Sequence, residues 1–147
     1  EEIDKDMIAV PIGPRLRMAA VASPAYWEKH PPPKTPRDLV AHRCINIRFP
    51  THGGLYVWEF ERAGRQQNVR VEGQVIFNAS HHIVAAALGG LGIAYLPEDE
   101  FAPHLESGEL VRVLARWCPP FPGYHLYYPS RRQPSPAFRL VVDALRA

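Results

Sequence analysis

Short apolar runs and amphipathic stretches follow one another along this chain, and no single period holds for long. Met7 to Ile12 reads as a short strand closed by Gly13-Pro14, and Leu16 to Ala22 as a second, largely apolar strand. Pro24 to His30 suits a short helix with Ser23 available to cap it. Thr35-Pro36-Arg37-Asp38 is a helix start, with Thr35 at the cap, proline at the first helical position and an acid at the third. That helix is predicted to end near His42, before a strand from Cys44 to Phe49 that stops at Pro50.

A hairpin is predicted next. Tyr56, Trp58 and Phe60 alternate with Val57, Glu59 and Glu61, giving one aromatic face, and the turn falls around Ala63-Gly64-Arg65. Val69, Val71, Val75 and Phe77 alternate with polar residues on the expected return strand. Asn78-Ala79-Ser80 starts a helix through Leu88, capped by Asn78 or Ser80 and stopped by Gly89-Gly90. Gly92 to Leu96 reads as a buried strand, and Pro97 opens a short acidic helical turn. After the turn Glu106-Ser107-Gly108 come strands at Leu110 to Leu114 and Tyr124 to Tyr128, separated by a Pro-rich crossing. Ser135-Pro136 caps a last helix with Phe138, Val141, Val142 and Leu145 at helical spacing. Strands alternating with helices indicate an α/β protein with a mixed sheet.

Composition narrows the classes. Of 147 residues, 46% are hydrophobic and 22% charged, enough for a packed core, and 16 prolines keep the elements short. A net charge of +2 does not mark a nucleic-acid coat. Cys44 and Cys118 form neither a disulfide framework nor a CxxC pair, so buried free thiols in a reducing cytoplasm are expected. The longest apolar stretch, Ile83 to Leu96, is broken by three glycines and falls short of the ~20 residues that span a bilayer. The charged start Glu-Glu-Ile-Asp-Lys-Asp is no signal peptide, and with no initiator methionine the chain reads as the interior of a longer protein.

Several segments, in order, resemble the effector-binding domain of LysR-type transcriptional regulators. They are Leu16 to Tyr26 with its Ala-Ser-Pro-Ala-Tyr, Thr35 to Ile45, Trp58-Glu59-Phe60, Val71-Glu72-Gly73 and Phe77-Asn78. Ala85 to Pro97, Gly108 to Leu114, and Tyr128 to Arg132 with Ser135-Pro136 complete the series. The Arg-Phe-Pro and Trp-x-Phe pieces look closest to the branch that responds to aromatic carboxylates and quinones. The resemblance implies a type 2 periplasmic-binding-protein-like fold of two α/β lobes, one of them incomplete here. Residues 23–126 would form lobe II, and residues 1–22 and 127–147 the returning part of lobe I. The implied function is sensing of a small organic effector between the lobes to modulate DNA binding by a winged helix-turn-helix domain absent from this chain. No cofactor and no membrane is implied, DNA is met only through that absent domain, and a cytoplasmic homodimer or homotetramer is expected. The helix Ser80 to Leu88 is a candidate for the dimer interface, although its alanine face could equally serve close internal packing.

In such an architecture anions gather at carboxyl ends of strands and amino ends of helices. Two places here match. Arg48-Phe49-Pro50-Thr51 ends a strand, with a forked cation and an aromatic face. Asn78, Ser80 and His81 open a helix. No metal site is expected, since adjacent His81 and His82 should diverge on a helix. The Gly-rich run Ala87 to Gly92 follows a helix instead of opening one, so it is a helix stop and not a phosphate loop. No GxSxG motif occurs, and the acids Glu98, Asp99 and Glu100 suit a helix start better than catalysis. No catalytic residue is therefore expected. The competing readings are a solute-binding protein of a transport system and, further off, a metal-assisted enzyme.

Overall fold

The computed structural model describes residues 6–49, 54–129 and 135–146. The chain divides into two compact units, residues 17–119 and residues 1–16 with 120–147. The larger unit is built on a five-stranded sheet. Its strands are β2 (Met18–Ala22), β3 (Cys44–Ile47), β6 (Val75–Phe77), β7 (Ile93–Pro97) and β8 (Val111–Val113), in the order β6-β3-β7-β2-β8. β3 lies parallel to β6 and β7, while β2 is antiparallel to β7 and β8.

The central strands β2 and β7 are apolar throughout, and β3 at all but Asn46, because both faces are covered. Ala20, Ala22, Cys44, Ile93 and Tyr95 face one way. Tyr26 of α1 (Pro24–Lys29), Leu39 of the 3₁₀ turn Pro36–Ala41, and Trp58 and Phe60 of β4 (Trp58–Arg62) cover them. Ala19, Val21, Ile45, Ala94 and Leu96 face the other way, against Ile83, Ala86 and Ala87 of α2 (Ser80–Leu88) and against Phe101 and Leu110. Small residues on β2 let α2 sit close, with Ala86 and Ala87 buried against the sheet and Ala85 exposed. Tyr95 is the hub of the first face: its ring stacks on Trp58 at 5.0 Å and meets Phe60 at 4.9 Å, and its hydroxyl donates to the Glu59 carbonyl. Burial holds that phenol well above its ordinary value. Cys44 and Cys118 are buried free thiols in this layer, and burial pushes the Cys44 thiol up to about 12.

Capping matches expectation in places. The Ser23 Oγ accepts from the Tyr26 amide, and Asp38 Oδ2 accepts from the Lys34 and Thr35 amides. The Thr35 start opens a 3₁₀ turn and not an α-helix. The hairpin departs from expectation. β4 pairs with β5 (Arg65–Val69) through a two-residue turn in which Ala63 and Gly64 both have positive φ. The return strand stops at Val69, and Val75 to Phe77 belongs to the other sheet. Past Val69 the chain moves onto β3: the Glu72 carbonyl accepts from the Cys44 amide at 3.0 Å, and a Cβ on Gly73 would stand 1.9 Å from the Cys44 carbonyl oxygen. Val71 keeps the alternating pattern only because it is buried in the same core. α3 (Ala102–Ser107) then closes on the left-handed Gly108 before β8.

In the smaller unit β1 (Met7–Pro11) pairs antiparallel with β9 (His125–Pro129), and α4 (Pro136–Arg146) follows. The Ser135 Oγ caps α4 by accepting from the Phe138 amide, and Phe138 packs edge-on against Tyr128. Among the described residues no helix is long and apolar enough to cross a membrane.

Candidate functional site

The parallel pairing of β3 and β6 sets Ile47 beside Phe77, so the residues that follow each strand emerge together. The Arg48 amide donates to the Phe77 carbonyl at 2.9 Å. Arg48, Ile76, Phe77 and Asn78 line one open pocket of about 390 Å³. Two segments thirty residues apart in sequence, Arg48 and Asn78, are thus neighbours at the carboxyl edge of the sheet. That is where anion sites of open α/β sheets form.

Arg48 is exposed, and among the described residues its guanidinium has no ion-pair partner. Phe49 meets Tyr56 edge-on at 5.5 Å, which holds its ring beside the strand end. Pro50 and Thr51 lie outside the described residues. The start of α2 differs from expectation, because neither Asn78 nor Ser80 caps it. The N-cap is Ala79, with no side-chain cap hydrogen bond, and Ser80 is already the first helical residue. Asn78 therefore turns to the pocket, and the first amides of α2 keep their hydrogen-bonding capacity for another acceptor.

His81 is exposed on the first turn of α2. Its ring does not diverge from His82: the two centroids are 4.0 Å apart, and His82 packs against Phe77 at 5.5 Å. Ile76 is a lining residue that the sequence reading did not single out. It lies on β6, at the edge of the sheet among the described residues, and is 43% exposed. Chemically the site offers a fixed cation, an amide side chain, an aromatic wall and helix amides. Away from this site, Ser107, His104 and Glu109 form a cluster at the end of α3. There the Ser107 hydroxyl lies within hydrogen-bond distance of Glu109 Oε1, at 2.8 Å, and of the His104 carbonyl, at 3.2 Å, and the His104 ring meets Glu109 instead.

Comparison with known proteins shows the family. The profile of the LysR substrate binding domain matches residues 1–147, and the chain belongs to that family. The family is one of transcriptional regulators, not of enzymes, with the two-lobe periplasmic-binding-protein-like fold. A Pseudomonas aeruginosa protein named as a candidate transcriptional regulator is 69% identical over 146 residues, 99% of this chain and 48% of that protein. The HTH-type transcriptional regulator PgrR of Escherichia coli K12 is 44% identical over 145 residues, again 99% and 48%. Among solved structures, the regulatory domain of AphB in Vibrio vulnificus superposes with a TM-score of 0.77 at 26% identity, covering 99% of this chain and 70% of that one. This chain spans about half the length of the curated relatives it matches.

Proposed function

We propose that the pocket at Arg48, Phe77 and Asn78 receives a small organic effector, with a carboxylate against Arg48 and the amino end of α2. The observation that carries this reading is the convergence of an unpaired Arg48 and Asn78 on one pocket beside a helix start with no side-chain cap. Phe49, Pro50, Thr51, Ser80 and His81 supply the surrounding contacts, the aromatic residues favouring a flat ligand. In a longer regulator, effector binding here modulates DNA binding by an N-terminal winged helix-turn-helix domain. Such a regulator acts in the cytoplasm as a homodimer or homotetramer. The names and lengths of the relatives support this wider reading. A ligand can shift the regulator only by its differential affinity for two arrangements.

The test is a thermal-shift titration of this chain with benzoate against uncharged benzamide. Binding at a hundred times Kd stabilises by about 2.7 kcal/mol. Benzoate, not benzamide, is expected to raise Tm, and Arg48→Ala is expected to abolish the rise while leaving the unliganded Tm unchanged. An undiminished rise in Arg48→Ala removes the residue from the site.

A further inference from the structure

The opposite end of the same sheet carries a second depression that the effector reading does not use. β2 runs against β3 and β7, with Val21 opposite Ala94 and Cys44 beside Ile93. Ser23 and the start of α1 therefore lie with Arg43 and Gly92 at the amino ends of β3 and β7. A pocket of about 230 Å³ opens there, walled by Tyr26, Lys29, His30, Arg43 and Gly89-Gly90. An adjoining hollow of about 310 Å³ shares Ala25, Gly89 and Gly90 and reaches Ser23 and Glu109.

The charges in this pocket are one-sided. Lys29 ends α1 and Arg43 precedes β3, so two separate elements bring a cation to the same space. Both side chains are exposed, and neither has an ion-pair partner among the described residues. No carboxylate lines the pocket. Glu109 lines only the adjoining hollow, and its carboxylate accepts from Ser107 and contacts the His104 ring.

Neutralising the ends of α1 and α2 does not account for both cations. Each helix end presents about half a negative charge at most. One last-turn carbonyl of α1 and three of α2 already have donors. The His30 amide and Nδ1 both donate to the Tyr26 carbonyl, and the Gly89, Gly90 and Leu91 amides donate to Ala85, Ala87 and Ala86. The site is also rigid. Tyr26 is 3% exposed, its ring stacks on His30 at 4.3 Å, and its hydroxyl accepts from the Arg43 amide and bonds to His42 Nδ1 at 2.8 Å. The backbone under Arg43 is thereby tied to α1. Gly90 has φ +76°, and a Cβ on it would stand 3.4 Å from the Ser23 Oγ, so this wall stays clear of side chains.

We propose that this pocket binds a small oxyanion, a phosphate or carboxylate head group held between Lys29 and Arg43. Paired charge-assisted contacts from two elements suit such a group. The volume lies below the roughly 300–1,000 Å³ of drug-sized ligand sites, which favours a head group over an aromatic effector. The site stands apart from the one at Arg48, since the two occupy opposite ends of β3.

Amide chemical shifts during titration with inorganic phosphate test this, with chloride at matched ionic strength as reference. The Arg43, Gly89 and Gly90 resonances are expected to shift saturably with phosphate alone. In the double variant Lys29→Ala, Arg43→Ala, which alters only exposed side chains, Kd is expected to rise at least about tenfold, the equivalent of ~1.4 kcal/mol. Non-saturating shifts, the same shifts with chloride, or an unchanged Kd in the variant overturn the proposal. Shifts confined to Asn78 and Ser80 overturn it too, and place the anion at the other end of the sheet.

Discussion

The two units of this chain differ in what they bury. Residues 17–119 enclose a sheet between two apolar layers, with Trp58, Phe60, Phe101, Leu39 and Ile83 almost wholly withdrawn from solvent. In the other unit Leu16 is the one buried apolar side chain among the described residues. There α4 has a pronounced apolar side, yet Leu140 is 71% exposed, and Val141 and Leu145 are exposed as well. Amphipathicity therefore marks a face fit for burial without showing that the face is buried. Stability follows apolar area actually removed from water, so it is concentrated in residues 17–119.

The largest test of that contrast is Trp58→Ala. The indole is 1% exposed and its Nε1 donates to the Asn46 Oδ1 at 3.2 Å, so truncation leaves a cavity and removes one of two donors to that oxygen, the Ile47 amide being the other. A loss of about 3–5 kcal/mol is expected from urea denaturation, and a loss under ~1 kcal/mol would break the comparison.

A smaller effect, controlled by pH, is expected at His42. Burial first, and the neighbouring His30 next, hold this imidazole below its ordinary value of 6.5. The unfolded chain then binds a proton that the folded chain resists, so stability rises with pH across this window. Urea midpoints should fall as pH drops below about 6.5, levelling out once the folded-state value is passed. His42→Gln, which keeps an acceptor for the Tyr26 hydroxyl, should remove that part of the dependence. An identical pH profile in the variant would show that His42 is not its source.

The smallest effect is expected from Leu140→Ser on α4. With the side chain already in water, the cost should stay within about 0.5 kcal/mol. A loss of several times that, read by the same denaturation, would show that Leu140 is covered in solution and would sharpen the contrast differently.

Much of the framework was legible locally. Ser23, the Thr35–Asp38 start, the Gly89-Gly90 stop and the Gly108 turn act through neighbours a few residues away, and each falls where the sequence put an element boundary. The uninterrupted apolar run of β7 announced a strand buried on both faces. The alternation from Val69 to Phe77 misled because Val71 obeys the period while the backbone has already left the hairpin. Nothing in a window of ten residues records that Gly73 must pass under Cys44. The cap of α2 misled for a related reason: Asn78 has the chemistry of a cap but is drawn to the pocket beside Arg48.

Sequence alone determined most of the element types, the buried thiols and the family resemblance, because these depend on side-chain chemistry and short-range geometry. Tertiary structure decided which of them meet. The parallel register of β3 and β6 brings Arg48 to Asn78, and the reversed direction of β2 brings Lys29 and Arg43 together at the other end. Strand order and direction are set by how the whole sheet buries its two faces, and no local stretch of chain contains that information.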